Sequence, residues 1–333
     1  MGTIVISLIV FATLIVIHEF GHFIVAKKTG VAVEEFSIGM GPLLLGKNYN
    51  NTQYSLRLLP IGGYCQMQGE DSEDNDEGSF MSKPPIIRFL IILAGPLMNL
   101  ILAWIFFIII GLSIGVPTTM INNVMNNYPA QRAGLKPGDE IISINNEKIN
   151  DWNEMSQIIS KADKKMDISV HRNGKLVQLT MKPRYDASTK RNIIGIEPVL
   201  SHDFFVSLKW GISQVYDVSK SILTALGMLL FKGFNLNDFV GPVGTINFIG
   251  KVAKTGLLNL INLSAVISIN LGVFNLIPIP ALDGSKLLFI LIEMIRGKPI
   301  APEKENAVDF IGLIALLAFS ALITYKDIIN LSR

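Results

Sequence analysis

Charge-poor apolar runs alternate with polar stretches along this chain, and four of the runs are long enough to cross a membrane. The first, Thr3 to Ala26, holds about 24 residues, where a helix needs about 20 to cross a hydrocarbon core of roughly 30 Å. It is not a secretory signal: no basic residue precedes it, its apolar part is too long, and Lys27 and Lys28 follow it as a stop-transfer flank. The second, Ile86 to Val116, is introduced by Lys83 and Arg88. The third, Gly256 to Ile295, exceeds one crossing and is interrupted by Asn275-Leu-Ile-Pro278-Ile-Pro280, which predicts a broken helix. The fourth, Val308 to Tyr325, is just long enough. Lys27, Lys28, Lys47, Arg57 and Lys83 follow the first run, and Arg296, Lys298 and Lys304 follow the third. The positive-inside rule therefore puts these loops in the cytoplasm and both termini outside.

Between the first two runs the period changes from helix to strand. Val33 to Ile38, Leu43 to Leu45 and Tyr54 to Leu59 read as short strands, separated by turns at Gly39-Met-Gly-Pro42 and Lys47-Asn-Tyr-Asn-Asn51. Leu43, Leu44, Leu45, Leu58, Leu59 and Ile61 are hard to hide in so small a sheet, so the strands are expected to dip toward the membrane. The acidic run Glu70 to Glu77 lacks the central glycine of a calcium loop and reads as a solvated, flexible loop. From Pro117 to Pro183 the chain reads as a small soluble α+β domain, with a turn at Gly138-Asp139 feeding an alternating strand and an Asn173-Gly174 hairpin turn. Over Gly134 to Asn145 it resembles a PDZ domain, a module that adds peptide ends or strands to a sheet edge. A polar linker, Arg184 to Arg191, leads to apolar residues at helical spacing, among them Phe205, Leu208, Ile212, Val215, Ile222 and Leu226. That pattern predicts an amphipathic helix on the outer membrane surface, a fifth crossing being the alternative.

Composition agrees with a membrane domain: charged residues are 17% of the 333, against about 25% in soluble domains. A net charge of +2 is too balanced to argue for nucleic acid. The single cysteine, Cys65, excludes a disulfide framework and any zinc site built on thiolates. Candidate chemistry begins at His18-Glu-Phe-Gly-His22 inside the first run, where residues four apart share a helix face and both imidazoles reach one metal. A catalytic zinc takes three protein ligands and leaves one position open. His171 and His202 belong to the outer region, so the third ligand must be a carboxylate from another membrane segment. Asp283, in Pro280-Ala-Leu-Asp-Gly284 at the break of the third run, meets that need.

Together these residues resemble the site-2 proteases, intramembrane metalloproteases, and most closely the bacterial type with one PDZ domain that controls anti-sigma factors. The resemblance rests on His18-Glu-Phe-Gly-His22, Leu59-Pro-Ile-Gly-Gly-Tyr64, Ala94-Gly-Pro-Leu-Met-Asn99, Gly241-Pro-Val-Gly244 and Asn275-Leu-Ile-Pro-Ile-Pro-Ala-Leu-Asp-Gly284, together with the PDZ-like stretch. It departs at Cys65, where a β-branched residue is commoner, and at Ser285, where a second glycine is common. It implies Zn2+ bound by His18, His22 and Asp283, with Glu19 as general base. It makes Asn275, Gly62, Gly63 and Asn99 candidate substrate-binding residues. It also implies that the β-segment presents substrate and the PDZ-like domain screens it. The expected substrates are transmembrane proteins such as anti-sigma factors, or signal-peptide remnants, already cut by a site-1 protease and embedded in the lipid bilayer of the bacterial plasma membrane.

The expected fold is an α-helical membrane protein with four transmembrane helices, the third broken, a membrane-associated β-segment and an inserted extracytoplasmic PDZ-like domain. Its segments are the first helix (1–28), the cytoplasmic-side β-rich segment (29–85), the second helix (86–116), the PDZ-like domain (117–183), linker and surface helix (184–255), the broken third span (256–296) and the fourth helix (306–327). An ion transporter and a catalytically inactive PDZ scaffold are the competing classes. No internal repeat supports the first, and the intact set of His18, Glu19, His22 and Asp283 speaks against the second.

Overall fold

In the computed structural model, which describes residues 2–70, 76–232 and 239–332, the apolar runs are helical apart from the connection 277–282 in the third. Hydrocarbon offers backbone N–H and C=O groups no water, so each must pair within its own segment. In chain order the elements are α1 Gly2–Lys28, β1 Val33–Tyr49, β2 Thr52–Met67, α2 Pro85–Ile114, β3 Val116–Val124, α3 Pro129–Arg132, β4 Glu140–Ile144, β5 Glu147–Lys148, α4 Trp152–Lys161, β6 Met166–Arg172, β7 Lys175–Met181, β8 Arg184–Asp186, β9 Arg191–Ile193, β10 Ile196–Ser201, α5 Phe204–Lys232, α6 Pro242–Ala253, α7 Leu257–Leu276, α8 Asp283–Arg296 and α9 Pro302–Ser332. Among the described residues, Gly2–Lys28, Pro85–Ile114, Leu257–Leu276 and Glu303–Ile329 are long and apolar enough to cross a membrane. The chain divides into two units, one of residues 1–107 and 211–333, the other of residues 108–210.

In the first unit α1 packs against β2, α6 and α7. Its close approach to α2 depends on Gly21, where an added Cβ would lie 2.3 Å from the Ala94 carbonyl oxygen. β1 and β2 form one long antiparallel hairpin closed at Asn50-Asn51, whose φ values of 48° and 55° suit a tight I′-type turn. This corrects the expected short strands: the chain stays extended through 39–42 and 47–49. Gly39 and Gly41, at φ +87° and +84°, absorb the irregularity as bulges where other residues would be strained. Leu43, Leu44, Leu45, Leu58 and Leu59 stand exposed along the outer hairpin.

Two further expectations change. Glu70 is not part of a solvated run, because it pairs with Lys286 Nζ at 2.5 Å and ties the end of β2 to α8. Asp71, Glu73 and Asp74 of that run lie outside the described residues. Residues 242–253, assigned to linker and surface helix, form α6, which packs against α1, α7 and α9. Pro242 starts α6, and Gly250 meets Thr3 so closely that a Cβ there would lie 2.0 Å from Thr3 Cγ2.

In the second unit a sheet runs in the order β10-β3-β4-β6-β7, with β5 beside β4. Ile121, Ile141, Ile144, Ile168 and Val170 fill its core with Met155 and Ile159 of α4. Asp151 caps α4 by accepting from the Glu154 N–H at 2.8 Å. The expected domain end at Pro183 is too early. β10 pairs antiparallel with β3, and the polar 184–191 stretch is not a linker but the start of a β8-β9 ribbon. Its turn is tied by Ser188 and Thr189, whose hydroxyls donate to Asp186. A groove of about 280 Å³ lies between α4 and the β9-β10 stretch, lined by Trp152, Met155, Ile159, Arg191, Ile194 and Ile196 among others.

Asp139, fully buried in the turn before β4, accepts from Arg172 Nε and Nη2, both at 2.7 Å, and from the Lys136 N–H at 2.8 Å. Burial alone would raise its carboxyl pKa, but the bonds from Arg172 and Lys136 outweigh it and hold the group below the usual carboxylate value. A folded-state pKa below the unfolded one, about 3.9 for Asp, stabilises the fold above that pH, and the contribution is lost as pH falls through the folded pKa. Denaturant unfolding of the second unit should therefore weaken between about pH 5 and pH 3. In Asp139→Asn the same pH change should have a smaller effect, from a lower starting stability; an equal slope in both proteins would refute the assignment.

Candidate metal centre

His18 and His22 lie one turn apart on the buried face of α1, and their Nε2 atoms are 3.2 Å apart. Asp283, the first residue of α8, brings Oδ2 to 3.0 Å from His18 Nε2 and 3.5 Å from His22 Nε2. His22 Nδ1 lies 2.9 Å from the Ile91 carbonyl oxygen, which accepts and cannot donate. The ring proton is thereby fixed on Nδ1, and the Nε2 lone pair faces His18 and Asp283. Asp283 Oδ2 is buried without a hydrogen-bond donor. Three electron-pair donors thus converge with nothing to satisfy them, and a cation is what such a set accepts. A tetrahedral ion with bonds of about 2.0 to 2.1 Å has ligand-to-ligand edges of about 3.3 Å, so the observed edges fit zinc with one position left open. Among the described residues this is the one group of three or more histidine, cysteine or acidic side chains close enough to share an ion.

The surrounding helices make this convergence sterically possible. A Cβ on Gly95 of α2 would fall 2.2 Å from His22 Nε2, so the imidazole occupies the space of a missing side chain. Gly284 does the same beside Asp283, since a Cβ there would lie 2.0 Å from the Ile277 carbonyl oxygen. Asn99, fully buried on α2, places its side-chain amide 3.2 Å from His18 Nδ1, and Ser268 Oγ donates to its backbone carbonyl at 2.7 Å. A metal at Nε2 leaves the His18 proton on Nδ1. The Asn99 amide oxygen is then its acceptor, reached by a half-turn that exchanges amide oxygen and nitrogen.

Glu19 points toward the hairpin. The Cys65 backbone N–H hydrogen-bonds its carboxylate, and a Cβ on Gly63 would come within 3.8 Å of Glu19 Cγ. Of the expected substrate contacts, Gly63 is therefore beside Glu19, and Gly62, at φ +90°, packs against Met40. Asn275 lies half-buried in the last turn of α7. Asn99 stands apart from them, fully buried with its side-chain amide against His18. Gly95 and Ile91 were not foreseen, although a Gly-Pro pair inside an apolar helix is a signal of close approach.

Residues 6–319 match peptidase family M50. A Clostridium acetobutylicum protein carrying the provisional name zinc metalloprotease is 39% identical over 330 residues, covering 98% of this chain and 97% of its own. The Bacillus subtilis regulator of sigma-W protease RasP is 33% identical, covering 98% of each chain. Among solved structures, the PDZ domain of an SdrC-like protein from Listeria monocytogenes is 24% identical over 26% of this chain and 87% of its own, with a TM-score of 0.22.

Gly95→Ala should expel His22 from its place without adding polarity to the helix packing. Zinc affinity, measured by competition with a chromogenic chelator, should fall by more than the about 10- to 100-fold of a lost outer-shell contact, while helical circular dichroism is retained. Wild-type affinity in this variant would rule His22 out as a ligand.

Proposed function

The chain belongs to peptidase family M50, and we propose that it is an intramembrane zinc endopeptidase of the site-2 type, with His18, His22 and Asp283 as zinc ligands and Glu19 as general base. The observation that carries this reading is the convergence of three unsatisfied donors in a helix bundle, with a carboxylate alongside and an extended strand passing it. When bound, zinc polarises the scissile carbonyl and acidifies the attacking water. Glu19 takes the proton from that water as its oxygen bonds to the carbonyl carbon, and delivers it to the amine nitrogen as the C–N bond breaks. The Ile91 carbonyl holds His22 in the tautomer that leaves its Nε2 free, and the Asn99 amide, turned so that its oxygen faces Nδ1, would do the same for His18.

A transmembrane helix hides its carbonyls in its own hydrogen bonds, so a substrate must unwind before attack. The β1-β2 hairpin supports such a state, because strand pairing satisfies an unwound backbone and β2 carries Gly63 and Cys65 beside Glu19. The Asn275 amide is the further group proposed to hold that backbone. Substrates of this chemistry are single-spanning proteins already trimmed outside the membrane, such as anti-sigma factors or signal-peptide remnants left by an upstream site-1 protease. The groove between α4 and the outer strand β10 supports selection of a trimmed peptide end, being apolar with Arg191 at its rim. The basic flanks of the first and third apolar runs favour a multi-pass protein of the bacterial plasma membrane, with the centre toward the cytoplasm and the PDZ-like domain outside.

Glu19→Gln tests the division of roles. The variant should keep zinc, because the proposed ligands are untouched, and lose turnover of a transmembrane model substrate by about 100-fold or more. Near wild-type cleavage would remove Glu19 from the mechanism, and loss of zinc would make it a ligand.

A further inference from the structure

Asp283 reaches the centre from an irregular connection, 277–282, that holds Pro278 and Pro280 and includes Ala281 at φ +69°. A left-handed backbone disfavours any residue with a Cβ and persists where the surroundings enforce it. The enforcing group is on α9. Asp309 Oδ1 accepts from the Ala281 N–H at 3.0 Å and from Ser285 Oγ at 2.8 Å, bonds that bracket Asp283 on both sides. One turn further along α9, Gly312 lies against the same connection, where an added Cβ would be 2.2 Å from Pro280 Cβ. Among the described spans α9 is the least buried, and an ionisable side chain in such a helix is costly unless it does something there. Ser285, the departure from the family pattern, is the residue through which this contact reaches α8.

We propose that Asp309 is a positioning residue that clamps the backbone on both sides of Asp283 and so sets the third zinc ligand. The inference rests on the reading of His18, His22 and Asp283 as the metal set. It differs from mere anchoring of α9, because another aspartate on that helix, the buried Asp327, accepts from the Gly244 N–H at 2.8 Å and ties α9 to α6 away from Asp283.

The test compares full-length wild type, Asp309→Ala, Asp309→Asn and Asp327→Ala in detergent. It reads zinc retention against a chelator and the visible spectrum of the cobalt-substituted protein. Asp309→Ala should lose zinc affinity by about tenfold or more and change the cobalt bands. Asp309→Asn, which keeps an oxygen acceptor, should restore both, and Asp327→Ala should leave both as in wild type. Ser285→Ala, which removes one of the two donors, should show a smaller loss in the same direction, and it decides the matter where Asp309→Ala is not recovered folded. Wild-type affinity and spectrum in Asp309→Ala, or in Ser285→Ala where that variant decides, overturn the clamp. So does an equal loss in Asp327→Ala, or no rescue by Asn. A wild-type protein that takes up neither ion overturns the metal reading itself, which sets that failure apart from failure of the clamp alone.

Discussion

Three electron-pair donors, held within 3.5 Å of one another inside a bundle of apolar helices, are the constraint to which the rest of the first unit answers. Left alone, such a set repels itself and its members would turn away toward any available donor. Each is prevented by a contact behind it: the Ile91 carbonyl on His22, Asn99 on His18, and the folded 277–282 connection behind Asp283. The candidate centre is therefore made as much of partners that remove alternatives as of the three converging side chains.

Close helix approach makes those partners reachable. Hydrophobic segregation does not drive helices together in lipid, so packing of small residues does, and the small residues here sit where the chemistry is. Gly21 lets α1 meet Ala94, Gly95 opens the space that His22 fills, and Gly284 lets the Ile277 carbonyl fold over the start of α8. The same positions thus serve stability and function, and a methyl group at any of them collides with backbone or a ligand rather than with a flexible chain end. The hairpin uses glycine differently, at positive φ in Gly39, Gly41 and Gly62, to bend an extended ribbon past α1.

The helices and the histidine pair were legible in the sequence because both are written locally. A run without charge announces a helix, and two histidines four apart with a carboxylate beside them announce one face of it. Asp283 was reached by elimination, since the chain has few histidines and one cysteine, and it does lie beside His18 and His22. What was missed depends on pairing between distant segments. Glycines at 39 and 41 read as a turn, but pairing to β2 turned them into bulges within a strand. The 184–191 stretch read as linker because nothing local says that β10, beyond it, joins β3. Residues 242–253 hid between a surface-helix pattern and a membrane run, and only packing on α1 and α9 gives α6 its place. Asn99 was legible as a candidate but its place against His18 was not, since sequence does not say whether an amide faces a cavity or the back of an imidazole.

The ligands differ in how they are held, and the difference follows from where each sits in the chain. His18 and His22 share one helix, so their spacing is set by helix geometry and only ring rotation is left to fix; one polar contact at each Nδ1, the Ile91 carbonyl for His22 and the Asn99 amide for His18, limits that rotation. Asp283 begins a helix after a break, where neither spacing nor backbone direction is given by a regular element. Its placement needs several restraints, and they come from elements on different sides: Gly284 under Ile277, Asp309 and Gly312 from α9, and Lys286 of the next turn paired with Glu70 at the end of the hairpin. The least regular ligand is thus the one joined to the most neighbours. α9 thus meets the centre at Asp283, whereas the hairpin meets it twice, at Asp283 through Lys286 and Glu70 and at α1 through Cys65 beside Glu19.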